Sequence, residues 1–163
     1  MGIVAITPRF ETIVVKKLVG MRRTLSLAHF NEGELWQTFL PHLKEVSITT
    51  STNLISLAVY PPEYFTNFNP ENLFERWAAV EVADFSNIPD AMEKMELSEG
   101  LYAVFHYKGL NTDYAIFQYI YGTWLPNSGY MLDDRPHFEV LGDKYKNNDP
   151  SSEEEIWIPV IEE

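Results

Sequence analysis

The sequence contains no cysteine. That removes a disulfide framework, a cysteine-ligated zinc and a cysteine nucleophile together, and it fits a reducing, cytoplasmic setting. Basic residues are scarce: 12 Lys and Arg face 24 Asp and Glu, for a formal net charge of −12. Such a balance repels phosphate backbones, and Lys16, Lys17, Arg22 and Arg23 are the one compact basic group. Direct binding of nucleic acid is therefore not expected. Long hydrophobic runs are also missing, and none approaches the roughly 20 residues that span a bilayer. Met1 to Arg9 lack the basic start, apolar run and cleavage site of a secretory signal, so neither membrane nor export is expected. His29, His42, His106 and His137 have no ligand-like spacing. There is no glycine-flanked serine elbow and no phosphate-cradling glycine loop, so no metal and no cofactor is expected.

What is present is apolar residue: 45% of 163 residues, enough for one domain over residues 1–163 to build a core without metal or crosslink. The chain repeats its own punctuation. Gly20 matches Gly100, Phe39-Leu40-Pro41 matches Trp124-Leu125-Pro126, and Arg76-Trp77 matches Ile156-Trp157, in one order and at nearly constant separation. This predicts a duplicated unit, about 9–83 and 94–162, with Asp84 to Lys94 as the connection. In the first unit, Phe10 to Leu27 reads as one long strand with a bend or bulge at Gly20. From Asn31, an N-cap, Leu35, Trp36, Phe39, Leu40 and Leu43 follow helical spacing. Leu54 to Tyr60 and Arg76 to Ala83 read as strands, the former stopped by Pro61-Pro62. The second unit gives a strand over Leu101 to Tyr107 and a helix entered through Asn111-Thr112 that ends near Leu125-Pro126. Two further strands follow, His137 to Leu141 and Ile156 to Ile161. Strand, helix, strand, strand, stated twice, predicts an α+β fold with pseudo-twofold symmetry, an antiparallel sheet with helices on one face, and a ligand groove between the units.

Alternation in β-structure sends Phe138 and Val140 to one face and His137, Glu139 and Leu141 to the other, so Glu139 stands among apolar neighbours. A carboxylate there must be paired, protonate, or await a cation. Tyr114, Phe117, Tyr121 and Trp124 form an aromatic stripe that reads as core. Trp77 and Trp157 hold equivalent positions, while Tyr60, Tyr64 and Phe65 suit a cleft rim. Glu153-Glu154-Glu155 reads as a solvated start of the last strand.

Three stretches carry a likeness: Trp124-Leu125-Pro126-Asn127-Ser128-Gly129-Tyr130, Arg135-Pro136-His137-Phe138-Glu139, and Glu153-Glu154-Glu155 leading into Ile156-Trp157-Ile158-Pro159-Val160. Together they resemble the gyrase-inhibitor-like (GyrI-like) effector-binding family, which also supplies the ligand-sensing module of AraC-type and MerR-type multidrug regulators. The likeness is strongest in the C-terminal half. It implies two fused units around a groove in which Glu139 meets cationic, lipophilic ligands. Guided by the repeat, it adds Trp77, Tyr119 and Trp157 to a candidate ligand-binding set that includes Tyr60, Phe65 and His137. Regulators of the family carry a helix-turn-helix domain, for which this chain leaves no room, so transcription control by it alone is not expected. The resemblance implies a protein that senses or sequesters a hydrophobic, cationic small molecule. Two alternatives are a hydrolase of reactive cyclopropane-bearing toxins, with Glu139 as general base activating water, and an inhibitor of a protein partner such as DNA gyrase.

Overall fold

The computed structural model describes residues 6–47 and 49–163; residues 1–5, part of both the leader reading and the 1–163 boundary, lie outside them. The elements run β1 (Arg9–Ile13), β2 (Lys16–Ser26), α1 (Glu32–Phe39), β3 (Leu54–Val59), β4 (Leu73–Val82), β5 (Glu93–Leu97), β6 (Gly100–Lys108), α2 (Ala115–Tyr119), β7 (Tyr130–Leu132), β8 (His137–Leu141) and β9 (Glu153–Glu162). All pairings are antiparallel, in the order β1-β6-β9-β8-β3-β4-β2-β5, with β7 on β9. Both helices cover one side, giving an α+β architecture with the β3·β8 pair at its centre. Among the described residues no helix is long and apolar enough to cross a membrane.

The stretch expected as one strand from Phe10 is two. Val14 and Val15 separate β1, at one end of the sheet, from β2, next to the other end. Ser98 and Glu99 make the mirror-image crossing from β5 to β6. Two residues bridge on the order of 10 Å at most, so the sheet curls until its ends nearly meet. Each half thus lends an edge strand to the other, and Glu93 and Lys94, expected in the connection, already belong to β5. No bulge interrupts the ladder at Gly20. This glycine lies inside β2 between Ala79 of β4 and Glu93 of β5, where a Cβ would sit 2.1 Å from the Ala78 carbonyl oxygen.

Curling divides the core. Inside the curl, Leu18, Leu57, Trp77, Leu97, Tyr102, Phe138 and Trp157 pack together. Each indole proton is satisfied by the glutamate two residues earlier on its own strand: Trp77 Nε1 donates to Glu75 Oε1 at 2.6 Å and Trp157 Nε1 to Glu155 Oε1 at 3.3 Å. Outside the curl, Leu35 and Phe39 of α1 seal one patch and Ile116 and Ile120 of α2 seal another. The α1 helix starts as expected, with Asn31 Oδ1 accepting from Glu34 N, and continues as a 3-10 turn over Leu40–Glu45. In α2 the entry differs from expectation, because Asp113 Oδ1 takes the Ala115 N–H while Asn111 bonds the 147–148 turn. The helix then widens into a π turn over Ile120–Trp124 and tightens to a 3-10 turn over Leu125–Asn127. Its buried stripe is therefore Ile116 and Ile120. Tyr114 is exposed, while Phe117, Tyr121 and Trp124 flank the stripe.

Candidate functional site

Between the helices, over the β3·β8 seam, the sheet presents polar groups where it would otherwise be apolar. Ser56 of β3 faces Glu139 of β8 across the ladder. From β4, Arg76 reaches the same spot and is 9% exposed. Its Nη2 donates to Ser56 Oγ at 2.7 Å and to Glu139 Oε1 at 3.2 Å, and its Nε donates to Glu32 Oε1 at 3.1 Å. Glu32 stands in the first turn of α1, and the same oxygen accepts from Ser56 Oγ at 2.6 Å and Trp36 Nε1 at 3.3 Å. Burial pushes the Glu32 carboxyl up, but Arg76 and the three donors prevail and hold it below its ordinary value. Arg76 is held further above its ordinary value by Glu32 and Glu139, against the opposing effect of burial. Glu139, expected to protonate or await a cation unless paired, has a resident counter-ion, because the N-terminal half inserts a guanidinium into the C-terminal half's surroundings.

A third carboxyl completes the cluster. Glu154 was expected in water with its neighbours, yet it is 8% exposed. Alternation along β9 puts it on the face of Ile156, Ile158 and Val160, which packs under α2. Burial first, then the negative charge of Glu139 and a hydrogen bond to it, push Glu154 up to about 10. That shift favours the protonated form of Glu154 at neutral pH, and its Oε2 has no hydrogen-bond partner. Three carboxyl groups and one proton around one guanidinium leave the cluster with a net negative charge.

Aromatic rings wall this cluster. His137 Nδ1 lies 2.8 Å from the hydroxyl of Tyr121, which belongs to the π turn of α2. Burial, helped by Arg76 and Arg135, lowers His137 to about 3, and burial raises Tyr121 well above its ordinary value. Neither ionises near neutrality, so we assign the hydroxyl as donor to an unprotonated Nδ1. Tyr60 meets His137 edge-on at 4.8 Å; Phe65 stacks on His137 at 5.6 Å and packs against Tyr121 at 5.1 Å. Tyr64, expected at the rim, is buried against Ala58 and Phe74 and also lines the outer cleft. The space left beside Glu139, Arg76, Tyr60, Tyr121 and His137 is about 20 Å³, room for one water. On the far side of Tyr60 and His137 a cleft of about 300 Å³ opens between Pro61 to Thr66 and Leu132 to Arg135.

Of the sequence-derived set, Glu139, His137, Tyr60 and Phe65 converge. Trp77 does not join them, because its ring lies inside the curl; Trp157 borders the small cavity beside Glu139, while its ring packs inside the curl and stacks on Phe138 at 5.1 Å. Tyr119 turns the other way and donates to the Ile6 carbonyl at 3.2 Å. Arg76, Glu32, Ser56, Glu154 and Tyr121 were not in that set. The signal for Arg76 was a lone cation opening an apolar strand, and for Glu154 it was the period-two pattern itself.

Comparison with known proteins gives a consistent result. The family profile of the Cass2 integron-associated effector-binding proteins matches residues 11–160. The transcriptional regulator BrlR of Pseudomonas aeruginosa is 26% identical over 148 residues, covering 88% of this chain and 51% of BrlR, so the chain spans about half that regulator's length. Among solved structures, the EcmrR C-terminal domain superposes with a TM-score of 0.72 at 17% identity, over 98% of this chain and 100% of that one. SAV2435, solved bound to tetraphenylphosphonium, gives 0.66 at 18% identity over 94% and 93%. Such identities speak to the fold alone.

Proposed function

The chain belongs to the Cass2 family of integron-associated effector-binding proteins, and from that premise we propose that it is a receptor for a hydrophobic, cationic small molecule held at Glu139. The single observation that carries this reading is the buried carboxyl cluster with its uncompensated negative charge, walled by Tyr60, Phe65, Tyr121 and His137. A cation stacked on such rings gains roughly 0.5 to 2 kcal/mol per face. That is modest, so charge pairing supplies affinity and the rings select shape. The tetraphenylphosphonium bound by SAV2435 is a ligand of this class. Glu139 already gives Oε1 to Arg76 and faces the Glu154 proton, an arrangement suited to counter-charge more than to the water activation of the hydrolase alternative.

Admission of such a ligand requires Phe65, the exposed member of the wall, to swing out so that the water-sized cavity and the outer cleft merge. The test is calorimetric titration of tetraphenylphosphonium and of neutral triphenylphosphine oxide into wild type and Glu139→Gln. The expected result is a loss of about tenfold or more for the cation, and a much smaller loss for the neutral compound. Equal losses, or no binding of the cation to wild type, would sink the reading.

A further inference from the structure

Resting on that reading, we infer that Glu139 and Glu154 form a carboxyl pair that stores one proton in the empty receptor, and that a cation seated against the pair displaces it, so that ligand binding and proton release are one event. The geometry comes first. Glu139 lies on β8 opposite Ile156 of β9, and Glu154 sits two residues from Ile156 on the same face. Neighbouring strands therefore bring two carboxyls together behind the aromatic wall. Glu139 already has one cationic partner in Arg76. Among the described residues Glu154 forms no ion pair, and its Oε2 is buried without a donor, so a proton is what neutralises it there. A fixed positive charge arriving at this spot replaces the proton as the partner of the pair, as an opposite charge within a few ångströms always favours the ionised form.

Every other group facing the pair is silent across neutral pH. From α1, Glu32 is held low by Arg76 and its hydrogen bonds; from β4, Arg76 is held high. Tyr60, after β3, is raised to about 12 by burial, and Tyr121 of the π turn lies well above its ordinary value. Tyr107 of β6 is raised by burial, then by Asp113 and Glu154, and Tyr145 of the β8–β9 connection is raised to about 12 by burial, then by Glu154, Glu32 and Glu139. His137 of β8, lowered to about 3, stays neutral. The pair is the one source in this cluster from which a proton can leave between about pH 6 and pH 9.

Two measurements on the wild-type chain test this. Infrared spectra of the ligand-free protein at about pH 8 should contain the carbonyl stretch of a protonated carboxyl, absent from Glu154→Gln and lost when tetraphenylphosphonium is added. Calorimetry with the same cation in phosphate and in Tris, buffers of different ionisation heat, should report close to one proton released per ligand. Its Kd should then fall toward about tenfold for each unit of rising pH between about pH 7 and pH 9, with both effects gone in Glu154→Gln. If the cation binds without buffer-dependent heat, or the ligand-free band is missing, the proton-storage inference is overturned while the receptor reading stands. If the band is present but the cation does not bind, the displacement step falls together with the receptor reading.

Discussion

The two halves of this molecule share a scaffold and divide the chemistry. Trp77 and Trp157 sit alike inside the curl, each bonded to the glutamate two residues before it. One residue earlier the halves part: Arg76 in β4 stands where β9 has Ile156. The N-terminal half thus supplies a buried cation with Glu32 to hold it, and the C-terminal half supplies Glu139, Glu154 and the proton between them. Their helices differ in the same sense. The α1 helix is regular and capped by Asn31, while α2 opens into a π turn that carries Tyr121 to His137. A symmetric sheet places equivalent positions side by side at the β3·β8 seam, and only unequal residues there make a polar pocket.

The comparison breaks most completely at Arg76. Arg76→Met makes the halves alike but strands Glu32 and Glu139 without a cation, and should cost about 3–5 kcal/mol of stability in urea denaturation. Removing the C-terminal half's proton carrier acts in the opposite direction. The Glu154 carboxyl is raised from 4.5 to about 10 on folding, so the folded chain holds a proton that the unfolded chain has released. Stability is therefore full below about pH 4.5 and is lost as pH rises toward about 10. Glu154→Gln, which keeps the hydrogen bond without the proton, should flatten that slope and raise stability at about pH 8 by roughly 2 kcal/mol. A wild-type stability curve that does not fall relative to the variant between pH 5 and 9 would rule this out. The low Glu32 carboxyl has the reverse sign: its contribution is present above the ordinary carboxylate range and lost as pH drops below it. The smallest effect is expected at the π turn. Tyr121→Phe removes one buried hydrogen bond and should cost about 1 kcal/mol, read from the same denaturation curves.

Much of this could be read from the chain before its fold was known. Alternation placed Glu139 and His137 on one face of β8, Asn31 announced α1, and Pro61-Pro62 ended β3 at the point where Tyr60 turns into the site. Glu154 was equally legible through its register with Ile156 and Ile158, but three consecutive glutamates outweighed the period-two signal. Trp77 and Trp157 were correctly paired with each other, and that equivalence alone does not tell which face of the sheet they occupy relative to Glu139.

The sequence by itself determined α1 and the strands β3, β4, β6, β8 and β9, because hydrophobic period, caps and proline act over a few residues. It also determined that a carboxylate lies among apolar side chains in β8. Only the tertiary structure decided that β1 and β5 exchange ends, that the sheet curls and hides both tryptophans, and that Glu32, Arg76, Glu139 and Glu154 meet. Those outcomes depend on pairing between residues far apart in the chain, and a buried charge has no defined partner or protonation state until that pairing is made.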